Sequence, residues 1–343
     1  MGQIQSVVSR HFHEHDSLAS QLRSSHYQLV DNTWILTGIQ GSGKTTIWRQ
    51  IKYLFSPEID DTEDEELLTD YKTSIITSLL TSTESIARTC RDKLESIDAT
   101  EAATTIFEQD NQVENYNEDI AGAVSMLWQD PAFTKAYEDS NFVSYGVKVL
   151  AERCQRWTRS TWVPSKDEIL RSHLMTTGMM EHTLNLGDTS IKVYDCGNNS
   201  GRSLRLLLEQ IKFPFVVFVA SLSSYNETTE SGKNILMESL NYFSTSANHL
   251  KDMNAEGEVV LILNKSDVFR EQLTRKKIPL NKSGSFPDAP RSFDYDEGVE
   301  WIKQEFEKRI EETMLLQVNV MDAFNEDDIA DFVTTLFPAV KQE

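Results

Sequence analysis

The chain has 343 residues, of which 39% are hydrophobic and 25% are charged, and its formal net charge is -21. This length allows one large core or two modest ones. The strong acidity argues against a broad nucleic-acid interface, which needs basic patches, and it gives no attraction to an anionic bilayer. Composition therefore favours a globular protein whose negative charge attracts neither nucleic acid nor an anionic membrane.

Three widely spaced cysteines, Cys90, Cys154 and Cys196, fit neither a disulfide framework nor a zinc motif. They favour reduced thiols and a cytoplasmic location, and the sequence has no apolar run that could span a membrane. The start, MGQIQS, fits the pattern for myristoylation of Gly2, which would make the chain a lipoprotein at the inner face of the plasma membrane. Because one acyl chain binds only marginally, an ordinary start followed by glycine is the alternative.

The first predicted elements are a polar helix over residues 7–30 and a buried strand, TWILT, over residues 33–37. The next helix, KTTIWRQIKYLF, ends before Pro57. Beyond an acidic linker the period-2 pattern disappears and helical patterns replace it. We therefore predict an all-helical domain, residues 61–162, inserted after the first helix of an α/β domain.

Strands return in the last part of the chain as continuous apolar runs, which are typical of a parallel sheet covered on both faces. They are SIKVYD (190–195), FVVFVAS (215–221), VVLILN (259–264) and LLQVNV (315–320). Helical segments over 229–250 and 294–312 separate them. This alternation predicts a doubly wound, mostly parallel α/β domain formed by residues 33–60 and 163–343, with residues 1–32 as a separate N-terminal helix.

GIQGSGKTT, residues 38–46, fits the phosphate-loop (P-loop) pattern G-x-x-x-x-G-K-[ST] between a predicted strand and a predicted helix. Gly38 and Gly43 would let backbone N–H groups point at phosphates. Lys44 would reach the β and γ oxygens, and the Thr45 hydroxyl is a metal-binding candidate for Mg²⁺. The alternative is a glycine-rich surface turn. The other predicted nucleotide contacts in this loop are Gly41, Ser42 and Thr46.

NKSD, residues 264–267, directly follows a predicted strand. The Asp267 carboxylate can accept two hydrogen bonds from the N1–H and amino group of guanine, a pair that adenine does not offer. Asn264 would bond around the base, and the stem of Lys265 would cover its face. The motif predicts GTP and GDP rather than ATP, with turn chemistry as the alternative for so short a pattern.

Two further segments fit the end of a triphosphate. Asp195 ends a predicted strand and would hold Mg²⁺ through water, while Gly197 would offer its N–H to the γ-phosphate. Thr176, in TTG, would complete the Mg²⁺ shell. Both segments are expected to order around the γ-phosphate and to loosen after its loss, which is the behaviour of a switch.

The order of these pieces resembles the α subunit of heterotrimeric G proteins over nearly the whole chain. The phosphate loop, the helical insertion, ILRSHLMTTG, YDCG, NKSD and a C-terminal helix follow one another as in that family. The insertion is the most specific feature, because small Ras-like GTPases lack it. The resemblance implies a Ras-like P-loop GTPase domain with an inserted all-helical domain, and a signal transducer that alternates between GDP and GTP.

The resemblance also implies protein partners. In the family the N-terminal helix and the second switch contact a βγ dimer, and the GTP-bound form binds effector proteins. The family's C-terminal helix contacts receptors, but TTLFPAVKQE is short, lacks the family's apolar tip and contains Pro338. Receptor coupling of the usual kind is therefore not expected.

The departures from the family pattern fall on the residues of GTP hydrolysis. His173 stands where the family has an arginine supplied in cis, a group that contributes about 10³–10⁵ in rate. Asn199 replaces the glutamine that orients the attacking water, and Asn198 replaces a glycine of the second switch. We therefore expect weak intrinsic GTPase activity, unless a partner supplies an arginine in trans.

Three other positions are interpreted through the same resemblance. Arg171 matches a family arginine that lies near the nucleotide. Gly41 replaces a glutamate that pairs with the family's switch arginine, which is consistent with the loss of that arginine. Val320 falls in the segment that corresponds to the family's base-contacting loop.

Two classes of function follow from this sequence. One is a signalling GTPase with a slow clock, and the other is a non-catalytic nucleotide-binding adaptor that displays a surface to a partner. A P-loop ATPase or kinase is disfavoured, because the carboxylate of Asp267 opposes adenine.

Overall fold

The computed structural model describes residues 4–8, 33–55, 65–109, 113–140, 146–172, 179–186, 189–196, 200–211, 215–229, 231–252, 258–282, 284–311 and 314–336. The chain divides into two compact units. The first comprises Met1–Ile59 with Met175–Glu343, and the second is Asp60–Leu174, which runs past the expected end of the insertion at residue 162.

The first unit contains a seven-stranded sheet in the order β1-β3-β4-β2-β5-β6-β7. All neighbouring strands are parallel except β3 and β4. The strands are β1 (Ile4–Val8), β2 (Thr33–Thr37), β3 (Met179–Leu186), β4 (Thr189–Cys196), β5 (Phe215–Ser221), β6 (Glu258–Asn264) and β7 (Leu315–Val320).

The described residues form twelve α-helices, of which α1 and α8–α12 belong to the first unit. In chain order they are α1 (Lys44–Phe55), α2 (Glu65–Cys90), α3 (Ile97–Glu108), α4 (Glu118–Gln129), α5 (Pro131–Asp139), α6 (Val147–Arg153), α7 (Lys166–Arg171), α8 (Ser200–Gln210), α9 (Ile235–Asp252), α10 (Ser266–Arg270), α11 (Tyr295–Glu307) and α12 (Glu326–Leu336). A 3₁₀ turn over Leu222–Asn226 precedes α9, and a π-helical segment over Glu271–Arg275 follows α10.

Both faces of this sheet are buried, as the continuous apolar strands predict. Along β2, Trp34 and Leu36 pack in one core cluster with α1 and α12, whereas Ile35 packs in a second cluster with α8, α9 and α11. Successive side chains of a strand point to opposite faces, so a strand between two helical layers must be apolar at every position. The predicted doubly wound α/β fold is confirmed.

One strand of the sheet was not predicted. β3 reads MMEHTLNL and pairs antiparallel with β4, from Met179 opposite Cys196 to Leu186 opposite Thr189. Its buried positions include His182, whose ring stacks on Trp48 with centroids 5.0 Å apart. A polar residue on the buried face interrupts the apolar run that marks the other strands.

Three predicted helices have different bounds in the structure. Residues 4–8 form β1 rather than the start of a helix, in keeping with their β-branched composition, and the rest of the predicted helix 7–30 lies outside the described residues. The helix predicted from residue 229 begins at Ile235, because a turn with Gly232 at φ +81° precedes it. The helix predicted over 294–312 is shorter and ends at Glu307.

The described residues of the second unit contain helices α2–α7, three 3₁₀ segments (Arg91–Lys93, Val113–Asn115 and Cys154–Thr158) and no strand. The stretch EDIAGAVSMLWQDPAFTKAYE, residues 118–138, forms two helices. Asp130 ends α4 and caps α5 by accepting hydrogen bonds from Ala132 and Phe133, and Pro131 takes the first helical position. Trp128 packs on Phe133, with ring centroids 5.3 Å apart.

The three cysteines are buried thiols. Across the described residues, no helix combines the length and the low polarity that crossing a membrane requires.

Candidate functional site

The loop between β2 and α1 is built on left-handed backbone. Gly38, Gly41 and Gly43 have φ angles of +136°, +78° and +101°. Residues with a Cβ rarely adopt such angles, so the glycines of the predicted phosphate loop are required by its path.

Two of these glycines are also required by space. A Cβ added at Gly38 would lie 2.1 Å from the Val219 carbonyl oxygen, and one added at Gly43 would lie 2.1 Å from Asn264 Nδ2. A Cβ at Gly41 would meet nothing within 4 Å. The loop is therefore pressed against β5 at its entry and against the end of β6 at its exit.

The Lys44 ammonium is folded into this loop. It is 7% exposed, and Nζ donates to the carbonyl oxygens of Gly38 at 2.9 Å and Ile39 at 3.0 Å. Burial lowers the pKa of this lysine, while the nearby Asp195 carboxylate acts in the opposite direction. A buried cation in a loop of backbone amides is a site for a bound anion.

The N-terminus of α1 adds to the positive potential of the Lys44 ammonium. The N–H of Ile47 donates to the Gly43 carbonyl at 2.9 Å and closes the first turn of the helix. The amides before it, including those of Thr45 and Thr46, lie at the positive end of the helix dipole. Ser42 is buried in the loop just before the helix begins.

Thr45 and Asp195 are in direct contact beside the loop. The Thr45 hydroxyl donates to Asp195 Oδ2 at 2.7 Å, and Asp195 is 0% exposed at the end of β4. The next residue, Cys196, stays a neutral thiol because burial raises its pKa to about 12. A hydroxyl and one carboxylate are hard oxygen donors, and Mg²⁺ commonly takes this few protein ligands with water and phosphate as the others. The donor set therefore fits Mg²⁺.

Asn264 connects the phosphate loop to the loop after β7. Its Nδ2 donates to the Ser42 carbonyl at 2.9 Å, and its Oδ1 accepts from the Ala323 N–H at 3.0 Å. The side chain is buried. The NKSD motif predicts this amide around the base, whereas in the structure both of its polar atoms join two loops.

The rest of NKSD turns outward. Lys265 adopts the left-handed conformation with φ +61°, and Asp267 lies exposed in the first turn of α10. Desolvation nevertheless raises the pKa of the Asp267 carboxyl above its usual value. Val320 ends β7 beside Leu263 and is 39% exposed. These side chains surround the surface next to the Asn264 bridge.

The remaining predicted site residues stay predictions. Arg171 belongs to the second unit, where its Nε donates to Asp167 Oδ1 at 2.9 Å. The predicted residues His173, Thr176, Gly197, Asn198 and Asn199 lie outside the described residues.

The structure also adds contacts that the sequence did not indicate. The Thr37 and Tyr242 hydroxyls are 2.6 Å apart, although 205 positions separate them in the chain. Val219 supports Gly38, and Ala323 fixes the orientation of Asn264. No local motif marks such contacts, because each joins segments that only the sheet order brings together.

A sequence model of the family described as G-protein alpha subunit matches residues 11–337. The chain belongs to the G-protein alpha subunit family. The resemblance inferred from the motifs is thereby confirmed.

Three relatives within the G-protein alpha subunit family show how far this sequence has diverged from other members. The alpha-17 subunit of Caenorhabditis elegans is 24% identical, covering 79% of this chain and 77% of its own. The alpha-9 subunit of Dictyostelium discoideum is 26% identical, covering 90% and 87%. The guanine nucleotide-binding protein subunit alpha of Coprinellus congregatus is 26% identical, covering 85% and 82%. The similarity spans both units at an identity low enough for site residues to have changed.

Proposed function

We propose that the chain is a guanine-nucleotide-binding signalling switch that binds GDP and GTP with Mg²⁺ and hydrolyses GTP weakly. The observation that carries this proposal is the Asn264 bridge. Its amide holds the phosphate loop through Ser42 and the loop after β7 through Ala323. One buried side chain thus fixes a phosphate cradle at a set distance from a base-recognition segment.

The base specificity rests on Asp267. Its carboxylate lies three residues beyond the bridge, in the first turn of α10, and is exposed. An ionised carboxylate accepts from both the N1–H and the amino group of guanine. Adenine offers an acceptor at N1 and no 2-amino group, so the same carboxylate would repel it.

The phosphates would lie in the loop from Gly38 to Thr46. The left-handed glycines, the Lys44 ammonium and the N-terminus of α1 all converge there. Thr45 and Asp195 would hold Mg²⁺, with Thr176 as the third predicted ligand. The metal would neutralise phosphate charge.

Weak hydrolysis is proposed from two substitutions. His173 cannot replace an arginine, because an imidazole is mostly neutral near pH 7 and lacks the planar fork of a guanidinium. The Asn199 amide is one methylene shorter than that of glutamine and would fall short of the attacking water. A non-catalytic adaptor is the second candidate function, and it is favoured by the same two positions.

We further propose that the partners are those of the family. A βγ dimer and an effector protein would bind the nucleotide-dependent segments, and a myristoyl group on Gly2 would contribute membrane association. One acyl chain is insufficient for stable anchoring, so a partner would supply the second attachment.

Nucleotide-dependent protection from proteolysis tests the switch. A switch should show limited digestion near residues 173–210 with the GTP analogue bound and faster digestion with GDP, whereas an adaptor should give one pattern with both. Lys44→Ala is the matched control, because it removes the ammonium without touching the predicted switch segments. Equal patterns for the wild type in both nucleotides would rule out the switch and leave the adaptor.

A further inference from the structure

A buried hydroxyl and a half-buried one meet under the entry to the phosphate loop. Thr37 Oγ1 and the Tyr242 hydroxyl are 2.6 Å apart. Thr37 is the fully buried last residue of β2, and Tyr242 comes from the middle of α9. The Tyr242 ring is fixed against Phe218 of β5, with centroids 5.6 Å apart. The contact is short, and both of its partners lie in regular secondary structure.

Thr37 directly precedes Gly38, the first glycine of the phosphate loop. The Gly38 carbonyl accepts a hydrogen bond from Lys44 Nζ at 2.9 Å. A Cβ added at Gly38 would lie 2.1 Å from the Val219 carbonyl oxygen. The entry of the loop therefore contacts β5 at Gly38 and the Tyr242 hydroxyl at Thr37. A shift of the backbone at Thr37 would move the Gly38 carbonyl and the ammonium bonded to it.

Helix α9 is itself anchored at an exposed turn. Asn234 is buried at its start, donates to the Tyr225 carbonyl at 2.7 Å and accepts from the Met237 N–H at 3.1 Å. The turn before it, from Thr228 to Asn234, is closed by the N–H of Thr229 donating to Lys233. A displacement of this turn would be carried along α9 to Tyr242, about two helical turns away.

We propose that Tyr242 is a positioning residue for the phosphate loop, and that its hydroxyl sets how slowly the chain releases GDP. The inference rests on the proposed nucleotide function and adds a control point to it. Through Tyr242, the exposed turn at 228–234 and α9 would act on nucleotide retention without contacting the nucleotide. Tyr242 would position the loop through Thr37 and touch no reacting atom.

The test is the dissociation rate of fluorescent GDP from the full chain. Tyr242→Phe keeps the ring against Phe218 and removes the hydroxyl, and it should speed GDP release about 3- to 10-fold, the range of a typical lost hydrogen bond. Thr37→Val should have the same effect, and Thr37→Ser should restore slow release. The double variant should be no faster than either single one, because both changes remove one contact.

A matched control separates positioning from general loosening. Tyr116→Phe removes a hydroxyl of the second unit that donates to the Cys154 carbonyl at 3.0 Å. It should lower the unfolding midpoint about as much as Tyr242→Phe and leave the rate of GDP release unchanged. Equal acceleration by both variants would overturn the inference.

The remaining outcomes also decide the matter. If Tyr242→Phe and Thr37→Val bind GDP and release it at the wild-type rate, the inference fails and the proposed function stands. Should Tyr242→Phe fail to fold, the comparison of Thr37→Val with Thr37→Ser decides alone. A wild-type chain that binds no guanine nucleotide would sink both.

Discussion

The side-chain amide of Asn264 occupies the space that a side chain at Gly43 would need. Its Nδ2 would lie 2.1 Å from a Cβ at that position, and it donates to the neighbouring Ser42 carbonyl at 2.9 Å. The end of the phosphate loop and the start of the NKSD segment are thus packed directly against each other. Changes on either side of the contact should affect both parts.

Two alanine substitutions in the loop should therefore differ in severity. Gly43→Ala meets both a φ of +101° and the Asn264 amide, and it should lower the free energy of unfolding by about 2–4 kcal/mol. Gly41→Ala meets strain at φ +78° but open space, and it should lower that free energy by about 1 kcal/mol. Urea denaturation measures both values. Equal losses for the two variants would contradict the packed contact.

Asp267→Asn should change the preferred base. The amide replaces one acceptor by a donor, so guanine loses a charged pair of hydrogen bonds, each worth about 1.5–3 kcal/mol. GDP affinity should fall about 100-fold or more. Xanthine carries an oxygen where guanine has its amino group, so xanthosine diphosphate should bind the variant better than the wild type. Titration calorimetry with both nucleotides checks this, and unchanged GDP affinity would remove Asp267 from the site.

Guanine affinity should depend on pH through the same carboxyl. Because desolvation raises the pKa of Asp267, the nucleotide-free protein takes up a proton there at a higher pH than an ordinary aspartate would. Only the ionised form accepts both guanine protons, so GDP affinity should be full above that pKa and fall as the pH drops through it. Binding near that pH should release a proton. Asp267→Asn should lose this part of the pH profile and keep only the titration of the phosphates.

GTP hydrolysis should be recoverable at two positions. His173→Arg together with Asn199→Gln should raise single-turnover hydrolysis by 100-fold or more, because a cis arginine alone contributes about 10³–10⁵ in family enzymes. His173→Lys is the matched control, since it adds charge without the bidentate fork and should gain less. A wild type that already hydrolyses GTP as fast as the double variant would show that neither position limits the reaction.

Local chemistry explains which parts of the fold the sequence predicted. TWILT and KTTIWRQIKYLF form β2 and α1 with the predicted bounds, because a fully buried strand and an amphipathic helix both carry their pattern within a dozen residues. β3 was missed because His182 occupies a buried position, stacked on Trp48, where the pattern expects an aliphatic residue. The stacking partner lies on α1, far away in sequence.

The candidate site also has one part that the sequence predicted and another that it did not. The glycines, Lys44 and the Thr45–Asp195 contact follow from motifs whose spacing reflects one loop and one strand end. The Asn264 bridge to Ala323 and the contact of Thr37 with Tyr242 depend on the order of strands in the sheet. A single sequence contains no signal for those pairings.

The most direct measurement is displacement of bound fluorescent GDP from the wild-type chain by unlabelled nucleotides in the presence of Mg²⁺. The account predicts that GTP and GDP displace the label at concentrations about 100-fold or more below those of ATP and ADP, since adenine cannot form the charged pair with Asp267. Displacement by ATP at the same concentration as GTP would contradict the account.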